Sequence, residues 1–271
     1  MKLRIMSVLV LAALALPGLL AAQVTGDIRL PQDPRWDGAT VNSGEGGLWL
    51  FPQFRFQSWD NDAGDSKTWM VGPVFAWSPE QLAALEVGTR FFLMSYDPDK
   101  GSSETGFSDI DIWGKYQVLT DPLLLSVGLS FTLPTGGEKI VHPWASGEFN
   151  FELFGAARYY VSDILALVGH IGFRINADAD IKVGGTKTEI DGATQFELGA
   201  GVIWQAVDKL DLTAELNFAT EAYKDTDNAI ELTFGGEYFF TDTLSADLAL
   251  GIGLDDGSPD FEIIAGALLL F

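Results

Sequence analysis

Residues 210–218 read LDLTAELNF: Leu210, Leu212, Ala214, Leu216 and Phe218 alternate with Asp211, Thr213, Glu215 and Asn217. A period of two puts one set on each face of a β-strand, because successive side chains point to opposite sides. The same alternation recurs in LSADLALGIG (244–253) and LLLSVGLSFTL (123–133). Twelve segments of this kind are expected, at 48–58, 68–77, 84–95, 108–118, 123–133, 148–160, 164–176, 194–204, 210–219, 230–240, 244–254 and 261–271. Short connections (78–83, 119–122, 161–163, 205–209, 241–243) interleave with mostly longer ones (59–67, 96–107, 134–147, 177–193, 220–229, 255–260). Amphipathic strands of this length joined by alternating short turns and long loops predict an all-β, up-and-down antiparallel transmembrane β-barrel of about twelve strands. The even count places both termini on the periplasmic side.

The composition agrees with that reading. The chain of 271 residues is 47% hydrophobic yet carries 38 Asp+Glu against 16 Lys+Arg, a formal charge of −22. Its mean hydropathy is nonetheless +0.17. A barrel with apolar residues turned to lipid and polar ones turned to the lumen reconciles the two. Nucleic acid is not an expected partner, since its affinity comes from cations that neutralise phosphate. With no Cys, thiol chemistry, disulfides and Cys-ligated zinc are excluded.

Met1–Ala22 reads as a secretory signal peptide, with Lys2 and Arg4 ahead of the apolar run Ile5–Leu16 and a Pro17-Gly18 break. Cleavage fits after Ala22 or after Gly26. Its removal takes away two cations and no acid. Residues 23–45 are rich in Pro, Gly and Asp and show no period; they form an irregular segment, either a hatch in the lumen or a periplasmic tail. The barrel is expected over 46–271.

Outward aromatics should sit at the membrane interfaces, among them Trp69, Trp77, Tyr116, Tyr159, Trp204, Tyr238 and Phe240. The chain stops at Phe271, on the outward face of the last strand. A terminal Phe there resembles the recognition signal read by the barrel-assembly machinery. Lipid and lipopolysaccharide are the other expected partners.

Two segments carry a more specific likeness. GFSDIDIWGKYQVL (106–119) and LLLSVGLSFTLPTGGEK (123–139) resemble the outer-membrane family named for the MetA-pathway of phenol degradation, through Gly106, Asp109, Ile110, Lys115, Tyr116, Leu133, Pro134, Thr135 and Gly136. The resemblance implies a channel or transporter for small, often aromatic or hydrophobic compounds. It transfers no catalytic residue and names no substrate.

Strand parity assigns the lumen. Over the first seven strands the inward bases Arg55, Arg90, Lys115, Arg158 and Arg174 balance the acids Glu86, Asp109, Asp111, Glu148 and Glu152. Over the last five, Glu197, Asp211, Glu215, Glu231, Glu237, Asp247 and Glu262 face inward with no base, forming an acidic wall. Such a wall favours cations. Two readings stay open: a permeable or gated lumen, and an occluded one in a structural or adhesive barrel. Inward Trp113, Phe154, Tyr160 and Phe239 either line an apolar path or fill it.

Other chemistry is thin. Asp60, Asp62 and Asp65, and Asn176, Asp178 and Asp180, alternate oxygen ligands but lack the Gly and Glu of a calcium loop. No metal and no cofactor is expected. A barrel hydrolase would need His170 within reach of Ser126 or Ser130, which lie two strands away; the chain is read as a non-enzyme.

Overall fold

The computed structural model describes residues 47–60, 65–82, 84–120, 122–137, 140, 142–183 and 186–271. The signal peptide, the irregular segment 23–45 and Asp62 lie outside the described residues. The chain forms β1 (Gly47–Trp59), β2 (Ser66–Ser78), β3 (Leu85–Arg90), β4 (Leu93–Pro98), β5 (Glu104–Phe107), β6 (Ile110–Leu119), β7 (Leu123–Leu133) and β8 (Asn150–Ser162). These are followed by β9 (Leu165–Ile175), β10 (Ala179–Val183), β11 (Thr186–Ile190), β12 (Thr194–Val207), β13 (Leu210–Ala219), β14 (Ala229–Thr241), β15 (Leu244–Gly253) and β16 (Phe261–Leu270).

All pairings are antiparallel. One sheet runs β1-β16-β15-β14-β13-β12-β9-β8-β7-β6-β3-β2, and β2 pairs back to β1, so the sheet closes. β3 with β4, and β5 with β6, each share one place in the wall, giving a closed barrel of twelve strands. Closure removes the free edges that an open sheet would present. At the seam, Arg55 pairs in register with Ile264, Gln57 with Glu262, and Phe271 exchanges backbone hydrogen bonds with Leu48.

Three local features depart from twelve plain strands. The third segment, expected unbroken over 84–95, is split at Phe91-Phe92, and the fourth starts at Ile110 after the separate β5 rather than at residue 108. Pro73 sits opposite this break and has no N–H to give the ladder. Its neighbour Gly72 has no room for a β-carbon, because the Phe91 carbonyl and Phe92 Cα press against it. Ser108 stitches the gap: its N–H donates to the Phe92 carbonyl (2.8 Å), and its hydroxyl accepts from the Phe92 N–H (2.9 Å). Inside the expected loop 177–193, β10 and β11 form a separate hairpin. The loop after β7 contains a 3-10 turn at Pro143–Ala145.

Parity survives the break, since Arg90, Phe92 and Met94 are all buried inward. The outward face is a belt of exposed apolar side chains, including Trp69, Val71, Trp77, Leu153, Leu167, Ile171, Leu198, Leu216, Leu248 and Ile252. The core is therefore the lumen. Trp49, Phe51, Met70, Val74, Ala76, Phe92, Met94, Trp113 and Phe154 form an apolar cluster along its β1–β8 side.

Candidate functional site: the lumen and its inward loop

Three large inward rings lie flat over a glycine directly across the ladder. Trp113 covers Gly88, Phe154 covers Gly128 and His170 covers Gly199. A β-carbon at any of the three would collide with the ring. The ring turns sideways into the wall, which narrows the lumen less than a ring aimed at the axis.

Four inward cations of β1–β9, Arg55, Arg90, Lys115 and Arg174, each meet an acid. Arg55 makes a two-pronged contact with Glu262, Nε to Oε1 and Nη2 to Oε2, both 2.8 Å, and Gln57 donates to the same Oε1 at 2.8 Å. Arg90 donates to Asp111 Oδ2 at 2.8 Å. Lys115 meets Glu86 at 3.3 Å, with both side chains wholly buried. Arg174 lies 3.8 Å from Asp111 and 3.9 Å from Glu152. Since Glu262 belongs to the acidic set, the Arg55 contact joins the mixed wall to the acidic one across the seam.

In loop 134–149, Ile140, His142, Trp144 and Ala145 turn into this lumen. Trp144 stands between two guanidinium groups, with Arg55 4.5 Å and Arg90 4.7 Å from its ring centre. Phe92, brought inward at the strand break, stacks on it at 5.5 Å. His142 is buried beside it, edge-on to Trp59. Its Nδ1 accepts from the Trp144 N–H at 3.1 Å, so the proton sits on Nε2, which donates to Gln57 Oε1 at 2.7 Å. Burial, and then the Arg55 charge, push the His142 imidazole down to about 3, so it is neutral at ordinary pH. His142, Gln57, Glu262 and Arg55 thus form one connected hydrogen-bonded chain.

Asp109 anchors both ends of the loop. Oδ1 accepts from the N–H groups of Thr135 (3.0 Å) and Gly136 (2.7 Å). Oδ2 accepts from the Ser146 hydroxyl (3.1 Å) and the Gly147 N–H (3.0 Å), while the Asp109 N–H donates to the Trp144 carbonyl at 2.7 Å. Gly147 has φ +72°, and a β-carbon on Gly136 would strike Asp109 and Ala145. The Thr135 hydroxyl accepts from the Ile110 N–H at 2.9 Å. Asp109, Ile110, Thr135 and Gly136, distant in sequence, therefore meet in one knot. Gly106 packs under Ile140 of the same loop.

No family model and no curated protein matches the chain. Solved structures do. The COG4313 outer membrane channel from Pseudomonas putida F1 aligns over 86% of this chain and 97% of its own, with a TM-score of 0.68 at 13% identity. The fold is that of an outer-membrane β-barrel. The KdgM porin, solved in complex with disordered oligogalacturonate, aligns over 82% of this chain and 99% of its own (TM-score 0.51, 10% identity). The β domain of the Bordetella autotransporter BrkA covers 83% and 99% (TM-score 0.50, 14% identity).

In this outer-membrane barrel the acidic residues of β12–β16 are inward and buried: Glu197, Asp211, Glu215, Glu231, Glu237, Asp247 and Glu262. Arg158 is buried inward as well. Tyr116 is exposed on the outward face and Phe271 is 72% exposed at the end of β16. The His170 ring leans over Gly199 of β12; Ser126 of β7 lies in the same register row with Ala156 of β8 between them, and the Ser130 hydroxyl donates to Glu152 at 3.0 Å. Asp178 caps the Gly192 N–H and Asp180 pairs with Lys187, and no group of three acids or histidines among the described residues is set to hold a metal. Sequence reasoning missed the roles of His142, Trp144 and Phe92. The available signals were the apolar residues of IVHPWA within a loop and the Gly72-Pro73 pair inside a strand.

Proposed function

We propose that this chain is a passive channel of the bacterial outer membrane for small molecules, with loop 134–149 as the gate at its long-loop, extracellular end. The observation that carries the reading is how the loop is held. It enters the lumen on side-chain contacts, Trp144 between Arg55 and Arg90 and His142 on Gln57, and not on a strand ladder. Such contacts exchange without unzipping the wall. Solutes would pass between an apolar side, lined by the Trp49–Phe154 cluster, and the acidic wall, which favours cations or molecules with a positive end. Lipid, lipopolysaccharide and, at Phe271, the assembly machinery are the partners this reading implies, and the family likeness of 106–139 supports small organic solutes. Reconstituted into planar bilayers, the chain is expected to conduct, and deleting 138–145 is expected to raise the unit conductance. No current from folded protein, with the deletion equally silent, would sink the channel.

The second reading, a structural barrel with an occluded lumen, is favoured by one observation: Arg55, Arg90, Lys115 and Arg174 each meet an acid. The same bilayer experiment separates the two.

A further inference from the structure

β13, β14 and β15 carry three lumen acids in direct cross-strand register: Asp211 opposite Glu237, and Glu237 opposite Asp247. Directly opposite side chains in an antiparallel pair stand about 4.5–5.5 Å apart at Cβ, where like charges repel. Gln205 of β12 continues the row opposite Asp211. The row is rich in acceptors that receive nothing. Asp211 is 0% exposed, and neither of its carboxylate oxygens accepts a hydrogen bond. Gln205, 8% exposed, leaves its Oε1 without a donor, as Asp247 does its Oδ1. Ser245 donates its hydroxyl to Glu237. Arg158 acts on Asp211 through its charge without a hydrogen bond.

A cavity of about 350 Å³ opens beside this row at the short-turn end. Gln205 and Ser245 line it together with Phe239, Leu244, Leu268 and Leu270. Asp208 and Asp242 outnumber Lys209 among its charged residues. One side therefore offers the unmet Gln205 carbonyl, with Asp211 next behind it in the row, and negative charge; the other offers hydrocarbon. The volume is that of a small-ligand site. A chelated metal ion does not fit, because no such ligand group is arranged among the described residues. A donor-bearing cation does: each N–H supplies a hydrogen to an acceptor that has none, and charge-assisted bonds of this kind are the strong ones.

We infer that the row Gln205–Asp211–Glu237–Asp247 and its adjoining cavity bind a small organic primary ammonium ion, its –NH3+ on the row and its hydrocarbon body against Phe239, Leu268 and Leu270. This deepens the cation preference proposed above by giving it a site and a ligand class, and rests on the lumen being reachable from the short-turn end. The test is calorimetric titration of the full chain, folded in uncharged detergent at pH 8 and constant ionic strength, with n-butylammonium. Saturable binding is expected. Butyltrimethylammonium, equally charged but without N–H, should bind about tenfold more weakly or worse. The double variant Asp211→Asn/Asp247→Asn and the single variant Gln205→Leu should each weaken butylammonium about tenfold. Equal binding of the trimethyl analogue, undiminished binding in the double variant, or no binding by folded protein would overturn the site. If the double variant does not fold, Gln205→Leu decides alone, and undiminished binding there overturns the site. Because binding is read without current, a chain that binds but does not conduct keeps the site and loses the channel. A chain that conducts but does not bind does the reverse.

Discussion

Asp109 joins two stretches of chain with one carboxylate, accepting from Thr135, Gly136, Ser146 and Gly147. Asp109→Ala removes all four hydrogen bonds at once and leaves N–H groups of the loop without partners. It should cost at least about 2 kcal/mol, read as a lower urea midpoint of the folded protein in lipid vesicles, and should make the current noisier as the loop loosens. His142 gives a pH test with a definite sign. In the docked loop the imidazole stays neutral down to about 3, while an exposed one takes a proton near 6.5. Between those values the undocked state binds the extra proton, so docking is at full strength above 6.5 and weakens as pH falls toward 3. Each unit in that window costs about 1.4 kcal/mol. Conductance should rise on acidification from pH 6.5 to 4, and His142→Gln should flatten that rise. Asp109 was singled out from sequence through its motif, but its task was not legible, because hydrogen bonds to residues 26 to 38 positions away leave no local pattern. His142 and Trp144 read as ordinary loop residues for the same reason: nothing in a short segment says it will turn inward.

At the scale of elements, alternation made the strands readable. Every stave in the wall answers to a segment marked by its period of two, and most of the inward charged set is buried, from Arg55 on β1 to Glu262 on β16, with Arg174 half-buried. The break at Phe91-Phe92 escaped because it does not change parity: Arg90, Phe92 and Met94 stay inward across it. Its cause was nonetheless written in Gly72-Pro73, a residue without a side chain beside one without an N–H. Gly72→Val should force the Phe91-Phe92 segment away and with it the ring stacked on Trp144. The expected result is a loss of about 1–3 kcal/mol in unfolding experiments and a shift in tryptophan emission that Trp144→Phe reduces. Lys115 and Glu86 are a buried pair across the β3–β6 ladder. Removing one partner strands a charge, so Lys115→Met should destabilise by roughly 3–5 kcal/mol, and the double variant Lys115→Met/Glu86→Leu should recover most of it.

The whole molecule divides its lumen lengthwise. Apolar and ion-paired residues occupy the β1–β9 side, and acids predominate from β12 to β16. If that division governs permeation, replacing Glu197, Glu215, Glu231 and Glu237 together by Gln should move the reversal potential in a KCl gradient toward that of a nonselective pore. An unchanged potential would show that ions do not sense this wall. The division was visible in the sequence as a charge imbalance between early and late strands. What could not be seen was that Arg55 reaches Glu262 across the closure and so ties the two sides together, because that contact exists only once the first and last strands are neighbours.

That tie bears on the order of assembly. Arg55 and Glu262 are separated by 207 positions along the chain, and Gln57, which His142 grips, holds the same carboxylate. The docking place of loop 134–149 is therefore incomplete until the last strand has met the first. A growing, still open sheet offers only the Asp109, Arg90 and Phe92 part of that seat, so full docking of the loop is expected to follow wall closure. The loop's arrival serves as a late reporter of a finished barrel. A kinetic probe on Trp144 should lag one placed on the β7–β8 ladder during folding into lipid.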